Sequence, residues 1–152
     1  PEHLFMASFQ EFNQKIAPYG VYNALVQLLL KFTCPGVPDV YQGTELWDFT
    51  FVDPDNRQQI DFKLRNQYLD EIQELKPHQI KDLLNYPNDA KIKLWLTQFL
   101  IHQRKQKKEF YAHANYQAVS ITGKFKEHLI AFKRVFNEQE VLVVAVLHPA
   151  LL

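Results

Sequence analysis

Apolar residues recur at helical spacing through the first third of the chain, in two stretches. The stretches carry Leu4, Phe5, Phe9, Phe12 and Ile16, then Val21, Leu25, Leu28, Leu29 and Phe32. Residues three or four positions apart lie on one face of a helix. Pro18 and Gly20 stand between the stretches, and a proline cannot donate the hydrogen bond that an interior helical residue donates. The pattern therefore predicts two helices, near 4–16 and 20–33.

Two longer helices are predicted downstream, at 62–75 and 90–108. Asp61 stands where an N-cap residue would accept a hydrogen bond from the first helical turn. The second helix has the strongest apolar periodicity of the chain, on Ile92, Trp95, Leu96, Phe99 and Leu100. Pro77 interrupts the segment between them, where a short helix is predicted on Ile80, Leu83 and Leu84.

After Tyr111 the apolar residues alternate with polar ones, which is typical of strands. The alternation predicts strands at 116–121, 129–136 and 140–147. Short turn segments separate them, so we expect an antiparallel meander. The run 141–147 is apolar at successive positions, and we therefore expect both of its faces to be covered.

A further short strand, 39–42, is enclosed by residues that break helices. These are Pro35, Gly36 and Pro38 before it and Gly43 after it. A strand between long helices needs neighbouring strands for its backbone groups, and a strand, a loop and a helix form one unit of a βα fold. The chain holds only one such unit, which indicates the last unit of a barrel whose other strands lie upstream. Because those strands are absent, the strand at 39–42 is expected to be lost or to pair with another molecule.

The predicted fold class is α+β and mostly α. It combines the last βα unit of a TIM-type (β/α)8 barrel with part of a C-terminal antiparallel β domain. Residues 1–110 are predicted to be the C-terminal end of the barrel, and residues 111–152 the start of the β domain. The chain begins at Pro1 and stops on Leu151-Leu152 directly after a strand-like run, so we expect it to be part of something larger.

Composition excludes several classes of protein. A hydrophobic fraction of 47% and an aromatic fraction of 14% exclude disorder. Seventeen basic residues balance seventeen acidic ones, so charge predicts neither nucleic acid nor a membrane surface as partner. No apolar run would span a bilayer, and no signal peptide opens the chain. The single cysteine, Cys34, fits a reducing, cytoplasmic compartment. The six histidines show no metal-ligand spacing, so we predict no metal and no cofactor.

The segment around 39–42 resembles a known family. Its pattern G-x-P-x-x-Y-x-G-x-E is similar to the eighth-strand segment of the α-amylase superfamily (glycoside hydrolase family 13), on Gly36, Pro38, Tyr41, Gly43 and Glu45. The continuation resembles the maltooligosyl trehalose synthase family, over Tyr41–Asp48, Val52–Arg57 and Ile60–Phe62. The resemblance covers nearly the whole chain and is most specific over 35–62. Gln58-Gln59 departs from it, since a more basic, proline-containing pair is expected there.

The resemblance implies an isomerase that converts the reducing-end α-1,4 bond of a maltooligosaccharide into an α,α-1,1 bond by intramolecular transglycosylation. Retaining glycosidases perform such chemistry with two carboxylates. None of the acids near the barrel mouth matches a catalytic position of the family, namely Asp39, Glu45, Asp48, Asp53, Asp55 and Asp61. We therefore predict no catalytic residue in this chain, and expect the missing N-terminal part of the same enzyme to supply the catalytic carboxylates.

The run Asp53-Pro54-Asp55-Asn56-Arg57 is ordinary turn chemistry when it is taken alone. The resemblance implies that its D-P-x-N-R pattern binds a glucose unit on the non-reducing side of the cleaved bond. A carboxylate accepts hydrogen bonds from sugar hydroxyls, and a guanidinium donates them from a fixed plane. The predicted substrate-binding residues are Asp53, Arg57 and Asn56, with Asn56 supporting the turn. Gly43 and Glu45 are predicted to support the loop.

Two other functions stay open from the sequence. The short motif also permits another α-amylase-superfamily hydrolase or glucanotransferase. The three C-terminal strands permit a non-catalytic carbohydrate-binding or structural module. Trp47 could stack on a sugar ring or pack under the loop.

Overall fold

The computed structural model describes residues 2–50, 52, 57 and 59–151, without the side chains of residues 2 and 3. This part of the chain contains α1 (Glu2–Thr33), α2 (Phe62–Gln73), α3 (Lys91–Gln106), α4 (Lys108–His113), β1 (Asn115–Ala118), β2 (Leu129–Phe136) and β3 (Gln139–Val146). Two compact units result, Pro1–Gly36 with Lys108–Leu152, and Val37–Lys107. The predicted division of the chain at residue 110 stays a prediction.

The helix α1 continues through Pro18, so the predicted break between 16 and 20 is wrong. A proline inside a helix removes one hydrogen bond and crowds the carbonyl four residues earlier, here that of Gln14. Residues 11–20 are all exposed, so water can bond the carbonyl that Pro18 leaves free. The cost of the proline is thereby limited, and the helix persists.

The first half of α1 presents an apolar stripe to solvent, the α1 stripe. It consists of Phe5, Phe9, Phe12, Ile16 and Tyr19, which are alternately four and three positions apart. Phe5 is 68% exposed and Phe12 is 58% exposed. Apolar residues that are spaced alternately four and three positions apart form the narrow stripe along which one helix packs against another. The stripe is therefore a surface suited to cover by further protein.

The three strands form one antiparallel sheet in the order β1-β2-β3, which confirms the predicted meander. The bounds of β2 agree with the prediction, whereas β1 ends at Ala118 and not at residue 121. In the register, Phe132 of β2 lies opposite both Ala118 of β1 and Val143 of β3. Phe132 is almost fully buried, so it lies at the centre of the packed face of the sheet.

Within the part of the chain that the structure describes, only one face of β3 is covered, so these residues do not supply the cover that was predicted for the other face. Val143 and Ala145 are buried, whereas Leu142 and Val144 are about half exposed. The helices α1 and α4 contact the sheet, and they do so on the face that carries Arg134. The run 141–147 therefore alternates in burial although it does not alternate in polarity.

The side chain of Arg134 joins the ends of two helices to the sheet. It is 1% exposed, and it donates hydrogen bonds to the carbonyl oxygens of Thr33 at 2.8 Å, Ala114 at 2.7 Å and Tyr111 at 3.4 Å. Carbonyls at a helix C-terminus lack intrahelical donors and carry partial negative charge. These carbonyls compensate the buried guanidinium in the place of a carboxylate.

The second unit is built on α2 and α3, as predicted for 62–75 and 90–108. Asp61 caps α2, because its Oδ1 accepts the N–H of Leu64 at 2.9 Å. The buried core of this unit comprises Leu46, Ile72, Ala90 and Leu94. The short helix predicted after Pro77 is present as a 3₁₀ helix, Pro77–Asn85.

The predicted strand 39–42 is absent from the described chain. Residues 37–41 have no assigned secondary structure, and a turn follows at 42–45. A strand needs a neighbour for its backbone hydrogen bonds, and the described residues offer none to this segment in a sheet. No helix among the described residues combines the length and the apolar character needed to cross a membrane.

Candidate functional site

The turn at 42–45 is closed by a carboxylate. Glu45 accepts the backbone N–H of Gly43 on Oε2 at 2.9 Å. Gly43 has φ +95°, in the left-handed region that side-chain-bearing residues rarely adopt. The glycine and the acid thus fix one sharp change of chain direction, immediately before the loop that carries the predicted substrate residues.

An arginine from α2 binds the same turn. Arg65 donates from Nε to Glu45 Oε2 at 3.2 Å, from Nη2 to the carbonyl of Gly43 at 2.6 Å and from Nη1 to the carbonyl of Asp61 at 3.0 Å. We name Gly43, Glu45, Asp61 and Arg65 the loop anchor. The sequence does not predict this role of Arg65, because its position one turn after the N-cap Asp61 says nothing about partners 20 and 22 residues away.

The next two residues of the loop are held by α3. Lys93 donates to the carbonyl of Leu46 at 2.8 Å, and its Nζ lies 5.2 Å from the ring centroid of Trp47. The indole N–H of Trp47 donates to the carbonyl of Pro87, and the ring packs against the core around Leu46. Trp47 therefore packs under the loop, which favours the second of its two sequence interpretations.

Asp48 forms a local turn as the loop continues. Its Oδ1 accepts the N–H of Thr50 at 2.9 Å. Hydrogen bonds from the side chain and the backbone of Thr50 hold the pKa of Asp48 below its usual value of 3.8. The carboxylate is therefore ionised at neutral pH and engaged within its own turn.

The predicted substrate residues lie, in the sequence, between Glu45 and Asp61 of the loop anchor. Asp53 and Asn56 lie outside the described residues. Arg57 is described and is exposed. The structure therefore does not test whether these three side chains come together, and their role in binding sugar stays a prediction.

No group of three His, Cys, Asp or Glu side chains lies together within the described ranges as a metal site would require. A shallow cavity of about 340 Å³ lies along β1 and β2. Its lining includes Tyr116, Lys126 and Glu127 but no residue of the loop anchor. This cavity therefore shares no lining residue with the loop anchor.

The comparisons with known proteins agree on one family, although no protein-family model matches the chain. Two curated proteins from Mycobacterium tuberculosis, strains CDC 1551 / Oshkosh and ATCC 25618 / H37Rv, are each 36% identical to it over 112 residues and are named putative maltooligosyl trehalose synthase. A crystal structure of maltooligosyl trehalose synthase matches 93% of the chain at 34% identity, with a TM-score of 0.81. This chain belongs to the maltooligosyl trehalose synthase family.

The match covers most of the chain but little of each relative. A mutant maltooligosyltrehalose synthase from Arthrobacter ramosus matches 99% of the chain at 30% identity and a TM-score of 0.79. The chain spans 18% of that structure and of the first one. It spans 12% of the curated maltooligosyl trehalose synthases, while their alignments cover 74% of the chain. The chain thus corresponds to one part of a much longer protein.

Replacing Gly43 by alanine should destabilise this part of the chain. An alanine would be strained at φ +95°, and its Cβ would lie 3.3 Å from two side-chain carbons of Ile60. We expect a loss of about 1–3 kcal/mol, the cost of one strained backbone position. Gly36→Ala is the control, since Gly36 also has positive φ but has nothing within 4 Å of an added Cβ. Urea unfolding of both variants measures the difference, and equal stability of the two would contradict a tight contact at Gly43.

An ion pair joins α2 to the start of α3. Lys91 Nζ lies 2.8 Å from Glu71 Oε2 and 3.3 Å from Asp89 Oδ2. Hydrogen bonds from Lys91 and then Gln67 hold the pKa of Glu71 below its usual 4.5. The hydrogen bond to Glu71 raises the pKa of Lys91 above its usual 10.5, against the lowering effect of burial.

The stabilisation by this pair should depend on pH in a definite direction. A carboxyl with a lowered pKa stabilises the fold above 4.5, and this stabilisation is lost as the pH falls through its folded pKa. An amine with a raised pKa stabilises the fold below 10.5, and this is lost as the pH rises through its folded pKa. Glu71→Gln should therefore lower the Tm most between about pH 4.5 and pH 10.5. In acid, the Tm of the variant should approach that of the wild type. Glu138→Gln, in the exposed turn after β2, is the control. A Tm difference for Glu71→Gln that stays constant into acid would contradict the prediction.

Proposed function

We propose that this chain is the C-terminal part of an enzyme that converts the reducing-end α-1,4 bond of a maltooligosaccharide into an α,α-1,1 bond. The observation that carries the proposal is membership of the maltooligosyl trehalose synthase family over most of the chain. The loop anchor adds support, because it holds the ends of the segment in which the family resemblance is most specific. The proposed substrate is therefore an α-1,4-glucan.

The proposed reaction is an isomerisation in which no water is consumed. One carboxylate attacks the anomeric carbon beside the reducing-end glucose, and an acid protonates the departing oxygen. The freed glucose then attacks the same carbon through its own anomeric hydroxyl and displaces the carboxylate, while the conjugate base of the acid takes the hydroxyl proton. The product has no reducing end, because both anomeric carbons share one oxygen.

The part that we assign to this chain is to hold a glucose unit of the substrate. The Asp53 carboxylate would accept hydrogen bonds from sugar hydroxyls and the Arg57 guanidinium would donate them. Asn56 would support the turn between them. Such contacts orient the reacting bond and raise the rate by reducing the motion that must be lost in the transition state.

We place the catalytic carboxylates in the rest of the enzyme. Three acids near the loop are already engaged within this chain. Glu45 is bound by Gly43 and Arg65, and Asp48 is bound by Thr50. Asp61 caps α2. A carboxylate that acts as nucleophile or acid must direct a free oxygen at the substrate, and these three are oriented towards their own backbone.

The proposed partner is the remaining part of the same enzyme. The α1 stripe and the exposed face of β3, with Leu142 and Val144, leave large apolar side chains in solvent. Contiguous exposed apolar surface of this kind marks an interface. The segment 37–41, which has no assigned secondary structure here, would pair with further barrel strands in the whole enzyme. We propose a cytoplasmic location for that enzyme on the strength of the single cysteine.

Incubation with maltopentaose tests the proposal. The 152-residue chain alone should give no trehalosyl product, whereas the full-length enzyme should remove reducing ends without releasing smaller sugars. Reducing-end titration and mass spectrometry together measure this. A rise in reducing ends would indicate a hydrolase, and a spread of chain lengths would indicate a glucanotransferase. Sugar binding by the chain, with no reaction by the full-length protein, would indicate a binding module. Turnover by the 152-residue chain itself would contradict the assignment of the catalytic residues.

A further inference from the structure

The loop anchor connects two places that are far apart along the chain. Arg65 binds Gly43 and Glu45 on one side of the segment 46–60, and the carbonyl of Asp61 on the other side. The three guanidinium nitrogens, Nε, Nη1 and Nη2, each donate to a different acceptor. One side chain therefore fixes the distance between the start and the end of this segment.

The geometry requires a planar fork with several donors. Nε and Nη2 of Arg65 bind Glu45 and Gly43 from one edge of the guanidinium, and Nη1 binds Asp61 from another. A lysine ammonium in this place keeps the charge but lacks the fixed directions of the donors. The side chain of Arg65 is only 15% exposed, so water competes weakly for these bonds.

We propose that Arg65 is a positioning residue for the substrate loop, acting through the loop ends and not by touching the sugar. The inference rests on the substrate role proposed above for Asp53 and Arg57. A loop with fixed ends samples fewer conformations, so less conformational entropy is lost when its side chains bind the glucan. The anchor thereby raises affinity for the substrate without contributing to the chemical step.

The test compares Arg65→Lys with a matched control in the full-length enzyme. Lys91→Met is the control, because Lys91, like Arg65, is a largely buried cation paired with a carboxylate. Its partners are Glu71 of α2 and Asp89, just before α3, and not residues of the loop anchor. The measurements are KM and kcat on maltopentaose, amide hydrogen exchange of residues 46–60, and Tm.

Arg65→Lys should raise KM roughly tenfold, the effect of losing one hydrogen bond to a charged group, with kcat within about twofold of the wild type. Exchange of the 46–60 amides should become faster in the same variant. Lys91→Met should change Tm alone. If Arg65→Lys does not accumulate as folded protein, Glu45→Gln tests the same anchor, since it keeps the shape and removes the charge.

The inference is overturned if KM of the anchor variant equals the wild-type value, if exchange in 46–60 is unchanged, or if Lys91→Met raises KM equally. Asp53→Ala and Arg57→Ala, measured beside them, separate this result from the proposed function. A rise in KM for those two variants but not for Arg65→Lys removes the anchor role alone. If none of the variants changes KM, the substrate role of the loop fails as well.

Discussion

Arg134→Met should unfold the 152-residue chain at a much lower urea concentration than the wild type. The substitution removes the donors for three buried carbonyls, those of Thr33, Tyr111 and Ala114. A buried carbonyl without a partner costs about 1–3 kcal/mol, so the loss of all three bonds should cost on the order of 3–9 kcal/mol. Small domains have about 5–15 kcal/mol of stability in all, and this single change would remove a large share.

The neighbouring Lys133 provides the control for that experiment. Lys133 pairs with Glu140 at 2.9 Å, and both side chains are more than a third exposed. An exposed pair of this kind contributes about 0–1 kcal/mol, so Lys133→Met should change the urea midpoint little. If Arg134→Met is no less stable than Lys133→Met, the buried hydrogen bonds do not hold the helix ends to the sheet.

Asp53→Ala and Arg57→Ala should each lower kcat/KM of the full-length enzyme on a maltooligosaccharide. Loss of a charged hydrogen-bond partner costs about 1.5–3 kcal/mol, which corresponds to a tenfold to hundredfold loss in kcat/KM. Arg57→Lys should recover little of it, because an ammonium does not reproduce the planar fork. Asn56→Ala should act more weakly and partly through stability.

The melting temperature distinguishes binding from folding in these variants. Both alanine variants should melt near the wild-type temperature, because the predicted loss is in contact with substrate. Gln59→Ala, at an exposed position of the same loop, is the matched control and should keep wild-type kinetics. Wild-type kinetics for Asp53→Ala and Arg57→Ala would leave the segment as an ordinary turn, and activity lost only together with Tm would make its role structural.

The elements that the sequence predicted well are those with strong local signals. The strand β2 is rich in apolar residues and lies between two turn segments, and α2 has a capping aspartate followed by apolar periodicity. The break at Pro18 was wrong because proline was given more weight than continuity of the apolar face from Phe5 to Tyr19. The segment 39–42 could not be assigned from its own residues, because a strand depends on partners for its hydrogen bonds.

The polar contacts of the site were less accessible to sequence reasoning. Glu45 could be assigned a loop-supporting role, but its partner Arg65 is 20 residues away, and the carbonyl that Lys93 binds is 47 residues away. A periodic pattern of apolar residues carries no information about contacts between residues so far apart in the sequence. The burial of Arg134 could have been predicted, because Arg134 lies on the same face of β2 as Ile130 and Phe132. A lone arginine on an apolar strand face indicates a buried guanidinium with acceptors from elsewhere.

The uninterrupted course of α1 has a mechanical consequence. The helix carries the α1 stripe in its first half and is held to the sheet by Arg134 at its last residue, Thr33. Its 32 residues, at 1.5 Å each, give it a length of about 48 Å. A helix resists bending, so a protein surface that moves against the stripe would displace the sheet with it. The resistance of α1 to bending is lowest at Pro18, where one backbone hydrogen bond is missing. Pro18 therefore marks the position at which α1 would bend.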